Sequence, residues 1–144
     1  ALCGSWGTLA ILTEITIKVV PKARAVAQDA AGLDAVWASP FVWRVSLPRD
    51  RAAVLLADWN GPSAQQWSGS LIWLGADAAG ANDIHKRAAA LGGHALLVQS
   101  PDEHRREHGC FQPLSTGVQA LQRQVKAAFD PGYRFNPGRM YKDL

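Results

Sequence analysis

Cysteine is scarce in this chain. Two residues in 144, Cys3 and Cys110, cannot form the disulfide framework of a small secreted scaffold. Long apolar runs are missing as well. The longest candidate, Leu9 to Val20, is broken by Thr13, Glu14, Thr16 and Lys18, so nothing approaches the ~20 apolar residues of a membrane-spanning helix. No secretory signal is visible, because residues 1–20 lack a basic leading segment. These absences make the cytoplasm the default compartment. Charge of one sign is weak: the net charge is +3, the basic residues are scattered and no run of them reaches four. That pattern reads as a solvated surface rather than a nucleic-acid footprint. There is no internal repeat and no low-complexity segment. A Gly-x-Ser-x-Gly elbow, a Walker loop and a Gly-x-Gly-x-x-Gly fingerprint are also absent, which removes the commonest hydrolase and nucleotide signatures.

What is present is the composition of a folded domain. Hydrophobic residues make up 48% and charged residues 19%, which excludes a disordered tail. A chain of this length can bury roughly 68–70% of its unfolded surface. It opens on Ala1 rather than Met and runs almost at once into strand-like sequence, so we expect a piece of a longer protein. Thr8 to Val20 alternates, with Leu9, Ile11, Ile15, Ile17 and Val19 on one side, and reads as a half-buried strand ended by Pro21. Lys22 to Leu33 reads as a loop, followed by a short helix around Leu33 to Ala38. Phe41 to Leu47 alternates again and predicts a strand. Arg51 to Trp59 fits helix or strand, and Asn60-Gly61-Pro62 is a turn signal. Gln66 to Leu74 predicts a strand bent at Gly69. Asn82 or Asp83 can cap a helix whose face carries Ile84, Ala88 and Leu91, closed by Gly92-Gly93. His94 to Gln99 predicts a strand, and Pro101 to Gln112 a polar loop. Ser115 or Thr116 caps a last helix with the face Val118, Leu121, Val125, Ala128 and Phe129, stopped by Asp130-Pro131-Gly132. The order predicts an α+β fold, an antiparallel sheet with helices on one face.

Candidate chemistry is sparse. His104 and His108 stand four apart with Cys110 nearby, a spacing that can seat a metal on a helix, but their charged surroundings imply no further ligand and no metal is assigned. No carboxylate pair stands at an acid/base spacing, and Glu14 falls on the polar side of the first strand. His85 and His94 flank the Asn82 helix and are read first as surface or capping residues. Six tryptophans are many for this length. Trp43, Trp67 and Trp73 fall in predicted strands and fill core or interface, and an interface role would suit a non-catalytic assembly module.

Two segments go further. Gly4-Ser5-Trp6-Gly7-Thr8-Leu9-Ala10-Ile11-Leu12-Thr13-Glu14-Ile15 resembles the closing motif of the FAD-binding domain in flavoproteins of the vanillyl-alcohol oxidase type. Phe129-Asp130-Pro131-Gly132-Tyr133-Arg134-Phe135-Asn136-Pro137-Gly138-Arg139-Met140-Tyr141 resembles the C-terminus of the same family. Between them, Trp43-Arg44-Val45-Ser46-Leu47-Pro48, Ile84-His85-Lys86-Arg87 and Gly92-Gly93-His94-Ala95 resemble one subgroup, the FAD-binding E subunits of glycolate oxidase.

The resemblance implies a fold, a cofactor and a reaction. Residues 1–22 would close the FAD-binding domain, and residues 23–144 would form the FAD-linked oxidase cap domain with its C-terminal tail. The family binds FAD and removes a hydride from a 2-hydroxy acid, here glycolate to glyoxylate. A related flavin enzyme such as a D-lactate dehydrogenase stays open. The implied partners are a second flavin subunit and an iron–sulfur subunit, and the implied location is cytoplasmic, with membrane association through the complex left open. Flavin contact is carried onto Gly4, Ser5, Gly7, Thr8, Ile11 and Asn136, since glycine lets backbone N–H groups approach a cofactor closely. His85, His94 and Arg139 are candidates for substrate or flavin electrostatics, and no residue stands out as a catalytic base. The family usually has glycine where Ala10 stands. The glycine-rich pyrophosphate loop of the family is not in this sequence, and the stretch from Pro21 to Phe41 is short for the subgroup. The 144 residues alone are therefore expected to bind FAD weakly or not at all.

Overall fold

The computed structural model describes residues 5–16, 32–78 and 81–143. The chain divides into two compact units, one of Ala1–Arg24 with Pro113–Leu144 and one of Ala25–Gln112.

Alternation of apolar residues builds the sheet of the Ala25–Gln112 unit. A short helix, α1 (Leu33–Trp37), leads into strand β1 (Phe41–Ser46). A 3₁₀ turn then runs into helix α2 (Ala52–Ala57). Strands β2 (Ser63–Gln66) and β3 (Leu71–Ala76) follow, then helix α3 (Ile84–Ala90), strand β4 (His94–Gln99) and helix α4 (Asp102–His108). The sheet order is β2-β3-β1-β4 with every neighbouring pair antiparallel. From β1 to β4 this is the β-α-β-β-α-β plan of a ferredoxin-like fold, so the α+β class and the antiparallel sheet hold.

Successive strand residues point to opposite faces. Phe41, Trp43 and Val45 of β1 align with Ala76, Leu74 and Ile72 of β3 and pack under Leu55 of α2 and Ile84 and Ala88 of α3. Val45, Ile72, Leu74 and Ile84 are fully enclosed, and each such side chain contributes about 1.5–3 kcal/mol of burial. The other face is smaller: Val42 and Ala64 pack with Val36 of α1, flanked by Leu33 and Trp73. Helices on one face therefore describes α2 and α3, while α1 covers the reverse side. The entry to β4 needs glycine, because a Cβ at Gly93 would lie 2.2 Å from the Ser46 carbonyl oxygen and 2.4 Å from Leu47 Cδ2.

Several local expectations change. Arg51 to Trp59 resolves as helix. The strand predicted over Gln66 to Leu74 is instead a hairpin: Trp67, Ser68 and Gly69 take φ of 52°, 55° and 86° and reverse the chain, which leaves Trp67 exposed rather than in a core. The polar segment from Pro101 forms α4, because Asp102 and Glu103 sit in its first turn and Arg105, Arg106 and His108 in its last, the arrangement the helix dipole favours. Asp83 stands at the N-cap of α3 without a side-chain capping bond; its carboxylate faces Lys86 at 3.5 Å instead.

In the other unit, α5 (Thr116–Phe129) starts where the Val118 N–H donates to Ser115 Oγ at 3.5 Å. Its expected apolar face is largely open, with Val118, Leu121 and Phe129 exposed, while Lys126 is buried. The strand expected over Thr8 to Val20 is absent from Thr8 to Thr16, and Ile17 to Val20 lie outside the described residues, as does the loop from Lys22 to Ala31. Alternation describes a surface that fits a sheet, and no described strand lies beside Thr8 to Thr16 to supply the ladder. Ile11 to Thr16 are accordingly exposed.

Candidate cofactor-contact site

The N-terminal and C-terminal motifs meet in one place. Ser5 to Thr8 closes a tight turn: the Thr8 N–H donates to the Ser5 carbonyl at 2.9 Å and Thr8 Oγ1 donates to the same oxygen at 2.6 Å. The two central residues, Trp6 and Gly7, have φ of 52° and 74°, the positive pair that marks a type I′ turn. Glycine suits this conformation and tryptophan does not, so the turn holds backbone strain of the kind that gathers at functional sites. Asn136, itself at φ 42°, donates from Nδ2 to the Gly7 carbonyl at 3.0 Å. A Cβ on Gly7 would come within 3.0 Å of that same Nδ2, so the contact depends on a bare backbone.

Beneath the turn lies a buried ion pair that the sequence reading missed. Lys126 and Asp130 are 2% and 3% exposed. Lys126 Nζ donates to Asp130 Oδ2 at 2.7 Å, to the Phe135 carbonyl at 2.8 Å and to the Thr8 carbonyl. Asp130 accepts the Arg134 N–H at 3.0 Å on Oδ1 and the Phe135 N–H at 2.9 Å on Oδ2. Burial alone would raise the Asp130 carboxyl. The Lys126 hydrogen bond, the two backbone N–H groups and the Lys126 charge outweigh it and lower the pKa to about 2. The signal was Lys four residues before Asp at a helix end, a spacing that usually means an exposed pair.

The other expected site residues fall as follows. Gly4 lies outside the described residues. Ser5 is half-buried, Thr8 is buried and Ile11 is 75% exposed. Arg139 is exposed, with its N–H donating to the Asn136 carbonyl at 3.2 Å. His85 and His94 belong to the Ala25–Gln112 unit. The His85 ring stands edge-on to Trp43 at 4.8 Å, and its Nε2 is enclosed without a hydrogen-bond partner among the described residues. Burial lowers its pKa, opposed by the Cys110 and Ala95 backbone groups. His94 is exposed at the start of β4. His104 and His108 stack at 4.4 Å on α4, and among the described residues no group of three or more His, Cys, Asp or Glu could hold a metal. Burial pushes the Cys110 thiol up, with Arg105 opposing, which weakens it as a nucleophile.

The Ala25–Gln112 unit also has a cleft of about 570 Å³, lined in part by Asp58, Asp77, Asp83, Arg87 and Trp59. Its carboxylates outnumber its one guanidinium. One of them, Asp83, is matched by Lys86 at 3.5 Å.

The Ser5–Thr8 turn thus presents a glycine carbonyl bonded by the Asn136 amide, with the exposed Ile11 three residues further on. Among curated proteins, one matches at 39% identity over 103 residues, 72% of this chain. The chain is similar to glycolate oxidase subunit GlcE of Escherichia coli (strain K12). The resemblance to the glycolate oxidase E subunit read from the sequence is thereby borne out. This chain spans 27% of the length of that relative. No protein-family model and no solved structure matches the chain. No helix among the described residues is long and apolar enough to cross a membrane.

Proposed function

We propose that this chain is the C-terminal part of an FAD-dependent oxidoreductase subunit that oxidises a 2-hydroxy acid, glycolate to glyoxylate, in a cytoplasmic complex with a second flavin subunit and an iron–sulfur subunit. Similarity to GlcE supports a flavin-oxidase role. The observation that carries the finer reading is the bond from Asn136 to the Gly7 carbonyl across 129 positions. It brings together the two segments that resemble the end of the family's flavin domain and its C-terminal tail.

In this reading residues 1–22 close the flavin domain and residues 23–144 are the cap and tail. The apolar surface of the unit that carries both termini supports it. Trp6, Ile11, Leu12, Ile15 and Leu121 are all at least 49% exposed, large apolar side chains of the kind a neighbouring domain covers. Gly4, Ser5, Gly7, Thr8, Ile11 and Asn136 would hold the flavin. FAD supplies the hydride chemistry when bound. The chain's own part is to present the Ser5–Thr8 turn rigidly, exclude water with Ile11 and keep Asn136 fixed. Arg139, exposed two residues beyond the Asn136-Pro137 step, supplies positive charge for an anionic substrate or flavin; His94 and His85 remain candidates for substrate or flavin electrostatics, His85 as the neutral imidazole that burial favours.

The test is anaerobic mixing of the purified full-length subunit, or its complex, with glycolate and with D-lactate. The reading predicts that the bound flavin's visible band bleaches with a 2-hydroxy acid. A flavin that binds but stays oxidised with both would reject the substrate class. A protein without flavin would reject the cofactor.

A further inference from the structure

The ammonium of Lys126 has three N–H donors, and three acceptors from three separate parts of the chain converge on it: the Thr8 carbonyl beside the turn, the Asp130 carboxylate at the end of α5 and the Phe135 carbonyl in the tail. No donor is left for a ligand, and Asp130 balances the charge. Direct electrostatics toward a cofactor or substrate is therefore not its task. Its geometry does something else. Thr8 and Phe135 are each one residue from the groups that join the motifs, Gly7 and Asn136. Lys126 thus fixes the backbone on both sides of the Asn136–Gly7 contact, and Asp130 fixes the tail a second time through the Arg134 and Phe135 N–H groups.

We propose that Lys126 and Asp130 are positioning residues for the flavin, a buried pair that locks the Ser5–Thr8 turn and Asn136 into the one arrangement that contacts the cofactor. The proposal rests on the flavin reading above. Its physical basis is that the strained residue Trp6 keeps a positive φ only where the surroundings over-determine it. The lock is specific to an ammonium. A planar guanidinium presents its donors in a fork and does not match three acceptors gathered around one point.

The experiment uses the full-length subunit as wild type, Lys126→Met, Lys126→Arg and Arg123→Ala. The last removes the exposed Arg123–Asp143 pair and serves as the control. Each is titrated with FAD, and the visible spectrum of the bound flavin is recorded beside far-ultraviolet circular dichroism. The proposal predicts that Lys126→Met weakens FAD binding by about tenfold or more and shifts the flavin bands toward those of free FAD. It predicts a smaller loss and the same spectral shift for Lys126→Arg, with Arg123→Ala like wild type. If Lys126→Met fails to fold, Lys126→Arg decides by its spectrum. Folded Lys126 variants with wild-type affinity and wild-type flavin bands would overturn the proposal and leave the flavin reading intact. Wild-type protein that binds no FAD would overturn both.

Discussion

Charge buried at single residues gives the sharpest expectations. Asp130 titrates near pH 2 in the fold against an ordinary 3.8. A lowered carboxylate contributes stability that is complete above its unfolded pKa and is lost as pH falls through the folded one. Protection factors at the Arg134 and Phe135 amides, which correct for the pH dependence of intrinsic exchange, should therefore hold down to about pH 4 and fall as pH drops toward about 2. Protection factors flat across that window would mean the carboxylate is not held as described. His85 has the same sign for a different reason. Burial lowers its pKa below 6.5, so the unfolded chain takes up the proton first and stability declines as pH drops below that value. The urea midpoint of the Ala25–Gln112 unit should be lower at about pH 5 than at about pH 7.5, and a His85→Gln variant should lose most of that difference. Neither residue's setting was legible beforehand. A Lys four before an Asp, or a His on a helix, looks the same in sequence whether water or protein surrounds it, and only the fold decides which.

The secondary-structure elements differ in how plainly the sequence announced them. β1 was readable because its alternation meets strands on both sides, as Val45 does with Ile72 and Ala95, and β4 because its alternation meets β1. Ile72→Ala should destabilise the sheet by about 2–5 kcal/mol in urea unfolding, since its site is closed on all sides. Gly93→Ala should cost about 3 kcal/mol or more, because its new Cβ meets backbone at Ser46 that cannot step aside; a change below about 1 kcal/mol would contradict the close approach. The hairpin between β2 and β3 was hidden because its turn is made by Trp67 and Ser68 in left-handed conformations that those residues rarely adopt. The segment after Thr8 was misread for the opposite reason. Its alternation is genuine, but a strand needs a neighbour to receive its hydrogen bonds, and no periodicity in Leu9, Ile11 and Ile15 says whether one is there.

Across the whole molecule, the two units are stabilised in different ways. The Ala25–Gln112 unit has a conventional core of Phe41, Trp43, Val45, Leu55 and their neighbours. The unit carrying both termini buries Leu9 together with Thr8, Lys126 and Asp130 among its described residues, so most of the side chains enclosed there are polar. That contrast was out of reach of composition, which averages both units into one ordinary domain. What the sequence did carry was the pair of motifs at the two ends, and their meeting at Gly7 and Asn136 is the part of the site that could be anticipated, though not the ion pair beneath it. The central claim is that this meeting point contacts flavin. Hydrogen–deuterium exchange on the full-length subunit, with and without FAD, tests it most directly. The account predicts slower exchange on FAD addition in peptides covering Ser5 to Ile11 and Phe135 to Arg139, with the β1–β3 ladder unchanged. FAD binding that leaves both of those peptides exchanging at their original rates would contradict it.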